Sequence, residues 1–262
     1  MARTALLHPL LWLALGAILV ALYLPLVPPF LFSVGAGTPA SEGSGLTLSW
    51  YASLPENALL LSAVATTLLV ALVTAIVAPL LGLLAAMAVR ELRVPRLILL
   101  LVLLPLFIPG VSMGLATALF FRELDLVPGW WSICLVHILW ALPFATLIIV
   151  TVMAGFDPVY LEAAYMTGAN RWRAFRDVEF PLIRGGVLGA ATFALILSFN
   201  ETIRTSAVQG RYNTVQTYIW ATYKQIGLSP ALYVLMSELI VLTLVLVAAL
   251  AIAGARGRRG LG

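Results

Sequence analysis

The sequence predicts an all-α integral membrane protein, on three observations. Of 262 residues, 62% are hydrophobic and 10% are charged. An ordinary soluble domain carries about 25% charged residues, so polar side chains here are too few to cover a surface in water. Six stretches reach the roughly 20 mainly apolar residues that a helical span requires: about 9–33, 57–89, 97–121, 131–154, 183–203 and 231–254. The basic residues are also distributed unevenly between successive connections. The expected architecture is a single transmembrane domain, residues 1–262, with six spans.

The first stretch follows Arg3 and stays apolar to Phe32. That exceeds the usual signal-peptide core of about 7–15 residues, so it reads as a span and not as a cleaved leader. Residues 34–56 are rich in Gly, Ser and Pro and read as a loop, with a short interfacial piece around Trp50 and Tyr51. The second span is long enough to tilt or to project beyond the bilayer. Pro105, Pro109-Gly110 and Pro143 mark kinks in spans three and four. Kinks free backbone carbonyls, which are tolerated at membrane depth where they line a cavity. Residues 204–230 are too polar to span, and Val215–Ile226 is expected to form a short helix at the membrane surface, a depth that suits Trp and Tyr.

Lys and Arg favour the cytoplasmic side. With the N-terminus inside, the inner segments hold Arg3, Arg90, Arg93, Arg96, Arg171, Arg173, Arg176, Arg184, Arg256, Arg258 and Arg259, which is 11 of the 15 basic residues. The outer segments hold only Arg122, Arg204, Arg211 and Lys224. Both termini are therefore expected in the cytoplasm. The net charge of +4 is small and clusters at membrane edges, where it suits lipid headgroups and not a nucleic acid. The lone Cys134 excludes an intrachain disulfide and a cysteine-based metal site.

One inner connection, residues 155–182, departs from the apolar background. Asp157 is a good N-cap and Pro158 suits the first helical position. Phe156 and Leu161 stand where a hydrophobic staple places its pair. Gly168 fits the left-handed position that ends a helix. Residues 158–167 should thus form a helix of about 15 Å, half of what a span needs. Asn170 can cap a second helix over 171–179, in which Trp172, Phe175 and Val178 form one apolar stripe, and Pro181 is expected to stop it. Two short capped helices joined by a glycine turn read as a solvated connection or as a docking element for a soluble partner. Ala163 and Ala164 allow close approach of another surface, while Arg171, Arg173 and Arg176 offer polar contacts.

The spacing here resembles a known signature. Glu162-Ala163-Ala164, three residues, Gly168, nine residues, then Val178-Glu179-Phe180-Pro181 is similar to the EAA motif of permease subunits in binding-protein-dependent ABC importers. Val178 and Phe180 stand where that motif has Ile and Leu. Residues 197–230, "LSFNETIRTSAVQGRYNTVQTYIWATYKQIGLSP", resemble the corresponding region of spermidine/putrescine-type permeases. Asn200 and Glu201 replace two acids there, and Thr214-Val215-Gln216 replaces Thr-Leu-Pro. The resemblance implies a type I importer permease fold in a bacterial inner membrane, a second and different permease chain, two cytoplasmic ATPase subunits and an extracytoplasmic substrate-binding protein. It implies ATPase coupling through Glu162, Ala163, Ala164, Gly168, Arg171, Arg173 and Pro181. ATP and its Mg²⁺ would belong to the ATPase, because this chain has no GxxxxGK[ST] phosphate loop.

Ionisable groups inside a membrane cost about 2.5–3.5 kcal/mol on insertion scales, so each requires a reason. His137, Glu201 and Glu238 are such groups, and Asn200 adjoins one of them. Glu201 falls roughly 27 Å along span five and Glu238 roughly 10 Å into span six, both in the outer half. Two acids and an asparagine on an entry path suit a polyamine or another small organic cation. The alternatives are local: Glu201 with Arg204 at ion-pair spacing, Glu238 with the partner permease, and His137 in a hydrogen bond between helices. Import of an amino-phosphonate, iron chelate or sugar by the same machinery stays open. No Ser/His, Asp/Asp or HExxH constellation points to an enzyme, and no internal repeat points to a secondary transporter.

Overall fold

The computed structural model describes residues 2–35, 45–92 and 94–259, with side chains between Leu11 and Val245 and at Ala248. Residues 36–44 of the expected first loop lie outside the described residues, as do the side chains of Arg3, Arg93, Arg256, Arg258 and Arg259. Thirteen α-helices are formed among the described residues: α1 Ala2–Tyr23, α2 Val27–Ser33, α3 Ser49–Ser53, α4 Ala58–Glu91, α5 Pro95–Leu103, α6 Gly110–Glu123, α7 Trp130–Ala154, α8 Val159–Met166, α9 Arg171–Ala174, α10 Phe180–Phe199, α11 Ile203–Val208, α12 Val215–Ile226 and α13 Pro230–Arg259. The protein is all-α; the described residues form no strand, only one isolated bridge between Gly35 and Leu46.

Among the described residues, four helical stretches are long and apolar enough to cross a membrane: Leu11–Ser33, Ala58–Glu91, Trp130–Ala154 and Arg171–Phe199. The expected third span differs from a simple kinked helix. It is two helical segments, Pro95–Leu106 and Gly110–Glu123, bent by 95° at the break between them. Pro105 and Pro109 each remove an N–H from the helical ladder, and together they end one helix before the next begins. Pro143, in contrast, is carried inside α7 without interrupting it. The sixth expected span falls on α13, which begins at Pro230; its described apolar stretch, Pro230–Val245, is shorter than the helices long enough to cross.

The chain forms two compact units. One comprises residues 1–57 and 221–252. Within it Tyr51 of α3 shares hydrogen bonds with Ser33 (2.8 Å) and Ser237 (3.2 Å), and the Phe32 and Tyr233 rings lie 5.1 Å apart. The expected interfacial piece at Trp50 and Tyr51 is α3.

The other unit comprises residues 58–220 and 253–262. Its core is the packing of α4, α7 and α10 on one another. At one level Leu83 and Ala86 of α4 meet Ala145, Ile149 and Met153 of α7 and Ile183 and Ala190 of α10. Further along, Ala78, Ala141 and Ala194 meet. Helices in lipid associate by close van der Waals packing, which favours small residues where they touch. A Cβ on Gly82 would lie 3.0 Å from the Thr146 backbone nitrogen, and one on Gly186 would lie 2.5 Å from a Val152 methyl. Large apolar side chains on the outer faces of these helices, such as Leu68, Leu72, Leu84 and Leu188, are exposed as in a lipid-facing surface.

Candidate functional site

The segment 155–182 folds as a pair of short helices whose caps are those read from sequence. The Asp157 carboxylate accepts the Val159 N–H (3.0 Å). Phe156 lies with its ring against Tyr160 (6.0 Å between centroids). At the other end Gly168 has φ +84°. Its N–H donates to the Tyr165 carbonyl (3.0 Å), and the Ala169 N–H donates to the Ala164 carbonyl (3.1 Å). That pair of bonds is the Schellman closure of a helix C-terminus, which needs the left-handed residue glycine supplies. Asn170 caps α9 by accepting the Arg173 N–H (2.9 Å).

Pro181 does not stop the second helix, contrary to the sequence expectation. Residues 175–179 form a π-turn that continues directly into α10. In it the Phe180 N–H bonds to the Phe175 carbonyl, five residues back. Pro181 has no N–H to donate, and the wider turn ahead of it leaves room for its ring, so the helix passes through. The short helix α9 is therefore the start of the same helical rod that crosses the core.

Glu162, Ala163, Gly168, Arg171 and Arg173 are exposed, whereas Ala164 is turned inward. Tyr160, Ala163, Gly168, Arg173 and Val178 line a shallow groove of about 490 Å³. Met166 and Trp172 project outward, 89% and 64% exposed. Apolar side chains held this openly on a rigid, capped element fit a surface that is covered by another protein.

At the far end of α10 the structure separates the four candidate pathway residues. His137 is 1% exposed. Its Nδ1 meets Ser198 Oγ and its Nε2 meets Thr205 Oγ1, both at 2.7 Å. It thus ties α7 to α10 and to α11. The span that carries Glu201 ends earlier than expected, at Phe199, so Glu201 lies in the break before α11. Its side chain is buried and accepts both the Arg204 backbone N–H (2.8 Å) and the Arg204 guanidinium (2.7 Å). The guanidinium lies 3.8 Å over the Trp140 ring, and its Nε has no hydrogen-bond partner. Gly110 approaches it closely; a Cβ there would be 3.3 Å from the guanidinium. Glu201 and His137 therefore spend their polar atoms inside the chain. Asn200 is exposed, with its amide donating to the Ile196 carbonyl (2.8 Å). Glu238 is exposed on α13. The exposed face of α11 joins Val111, Leu115 and Trp220 around a groove of about 680 Å³.

Several functional contacts are absent from the sequence reading. Glu179, at a variable position of the signature, is buried and forms an ion pair with Arg90 at the end of α4. Trp140, Ser198 and Thr205 complete the His137–Glu201–Arg204 cluster. The buried face of α10 holds the only signal for Ser198: Ile183, Ala190, Ala194 and Ser198 recur at helical spacing.

The chain thus holds a helical membrane unit in which a capped two-helix element leads into a core rod. The family described as binding-protein-dependent transport system inner membrane component matches residues 78–256, and the chain belongs to that family. It is 29% identical over 236 residues to the spermidine/putrescine transport system permease protein PotC of Escherichia coli (strain K12), covering 89% of each chain. It is 24% identical over 218 residues to the putrescine transport system permease protein PotI of the same strain, covering 80% of this chain and 78% of that one. Among solved structures, a bacterial ABC transporter involved in import of the acidic polysaccharide alginate is similar, with a TM-score of 0.76 at 15% identity over 96% of this chain and 97% of that one. The methionine ABC transporter MetNI in an inward-facing form has a TM-score of 0.61 at 19% identity, over 83% of this chain and all of that one. The fold is the type I ABC importer permease fold, and the chain is a permease of an ABC importer.

Proposed function

We propose that this chain is one of two different permease subunits of an ATP-driven importer of a polyamine or similar small organic cation. It pairs with a second permease and docks α8 and α9 onto one of two cytoplasmic ATPase subunits, which bind ATP and Mg²⁺. An extracytoplasmic binding protein delivers the substrate. Both termini face the cytoplasm, as the distribution of arginines favours. The observation that carries the reading is the capped, exposed pair α8–α9 built rigidly onto α10. Nucleotide-driven displacement of such a pair biases the core between two packings.

The cation preference is supported by the relatives named for spermidine and putrescine. Of the candidate pathway residues, Asn200 and Glu238 are exposed to meet a substrate, whereas Glu201 and His137 act by holding α7, α10 and α11 together. The experiment is co-expression with the neighbouring transporter subunits. Gly168→Pro and Glu162→Lys are expected to abolish co-purification of the ATPase or uptake, with the chain still inserted in the membrane. Unimpaired uptake in both variants overturns the docking assignment. A binding protein that retains an anionic or neutral ligand and no amine overturns the cation assignment.

A further inference from the structure

The π-turn Phe175–Glu179 is the one non-α turn in the helical rod that runs from Arg171 to Phe199. A single π turn inside an α-helix is rare and recurs at functional sites. Glu179 closes this turn, and it is an acid on the buried face of the rod. The positions that follow it on that face are Ile183, Ala190, Ala194 and Ser198. The Glu179 side chain is 2% exposed. Arg90 Nη1 donates to Glu179 Oε1, and Arg90 Nη2 faces Glu179 Oε2 in a longer contact of 3.4 Å. A planar guanidinium matched to a carboxylate in this way fixes orientation as well as distance. Arg90 is in the last turn of α4 and its Nε also donates to the exposed Glu91 (3.0 Å). Immediately beyond the pair lies the apolar cluster of Leu83, Ala86, Ile149, Met153 and Ile183, with Phe175 packed against it.

We infer that the Arg90–Glu179 ion pair is a positioning link that makes α4 and α10 move together with the α8–α9 pair. Without it, displacement of α8 and α9 is absorbed in the π-turn. With it, the load enters α4 and α10 at the same level. At the other end of the same face, Ser198 is held by His137 of α7. Glu179 and Ser198 are separated by roughly 28 Å of helix. α10 is thus pinned by polar contacts at both ends and packed on small residues between them. Neither Arg90 nor Glu179 is offered as a contact to the ATPase; they act through the helices that they join.

The inference rests on α8–α9 being the ATPase-docking element, and the test separates the two. The assembled importer, with its binding protein and ATPase, is reconstituted in liposomes. Import of radiolabelled spermidine and putrescine and hydrolysis of ATP are measured on the same preparation. Glu179→Gln and Arg90→Gln are expected to retain the ATPase through purification and to keep hydrolysing ATP. Import per ATP should fall at least fivefold in both. Arg90→Lys keeps the charge but not the planar fork, folds with the carboxylate still paired, and should fall about two- to threefold. Glu91→Gln should match the unaltered protein. Import per ATP within twofold of normal in the Arg90 and Glu179 variants overturns the link. Loss of the ATPase from Glu179→Gln also overturns it, because the residue would then act in docking. Retention of the ATPase and full uptake by both Gly168→Pro and Glu162→Lys instead removes the underlying docking assignment.

Discussion

Arg204 shows how one side chain changes the meaning of another. Glu201 alone, as an acid near the end of a membrane-spanning helix, is a ready partner for an amine. With Arg204 against it and Trp140 beneath the guanidinium, the acid already has its cation. The two side chains are 6% and 8% exposed. Removing one partner of such a pair costs about 3–5 kcal/mol, mostly because the other charge is left buried. Arg204→Ala should therefore lower the thermal unfolding midpoint of the purified protein sharply. Replacing both, Glu201→Gln with Arg204→Met, should cost clearly less. Equal losses in the single and double variants would mean that the charge pair is not what Arg204 contributes. The i,i+3 spacing of Glu201 and Arg204 is local and was readable from sequence. The partners of His137 lie 61 and 68 residues away, and no periodicity of α7 reports them.

At the scale of single elements, legibility follows the range of the determining contacts. Asp157, Gly168 and Asn170 act on backbone groups two to five residues away, so their caps follow from residue type alone. The short helix Val215–Ile226 is likewise as the sequence indicated. Pro181 is not legible in this way: its effect depends on whether the preceding turn widens, and Phe175 and Ile183 around that turn pack with residues of α4 and α7 that are distant in sequence. The 95° break between α5 and α6 needed more than the prolines. It also needs a close partner for α6, and that partner is α11: a Cβ on Gly114 would stand 3.1 Å from Ala207 Cβ. The same logic of close approach yields a prediction for α10. Gly186 faces the branched and stiff Val152, which cannot rotate its methyls away. Gly186→Ala should lower the unfolding midpoint, and adding Val152→Ala should restore only part of the loss, because the Cβ of residue 152 would still stand 2.8 Å from the added methyl. Gly189→Ala, with nothing within 4 Å of its added Cβ, should be neutral or slightly stabilising.

For the whole molecule, composition carried the membrane class, because 10% charged residues cannot solvate a surface of this length, and the span-length apolar stretches carried the all-α part. The division of work within the chain was not legible that way, since Arg90 and Glu179 are 89 positions apart and each lies in an ordinary-looking context. Orientation is the remaining global property, and the arginine distribution predicts it. Arg96 and Glu56 are both exposed, and they stand on connections assigned to opposite sides. Cys134 is buried, so a Cys134→Ser background removes the native thiol without opening a surface site. In that background Glu56→Cys should react with a membrane-impermeant maleimide on intact cells, stripped of their outer envelope where one is present. Arg96→Cys should react only after the membrane is permeabilised. The reverse pattern would put α8 and α9 on the outer side, away from any cytoplasmic ATPase. The docking role of Gly168 and the coupling role of Glu179 would then fall together, whereas the ion-pair and glycine effects on stability would stand.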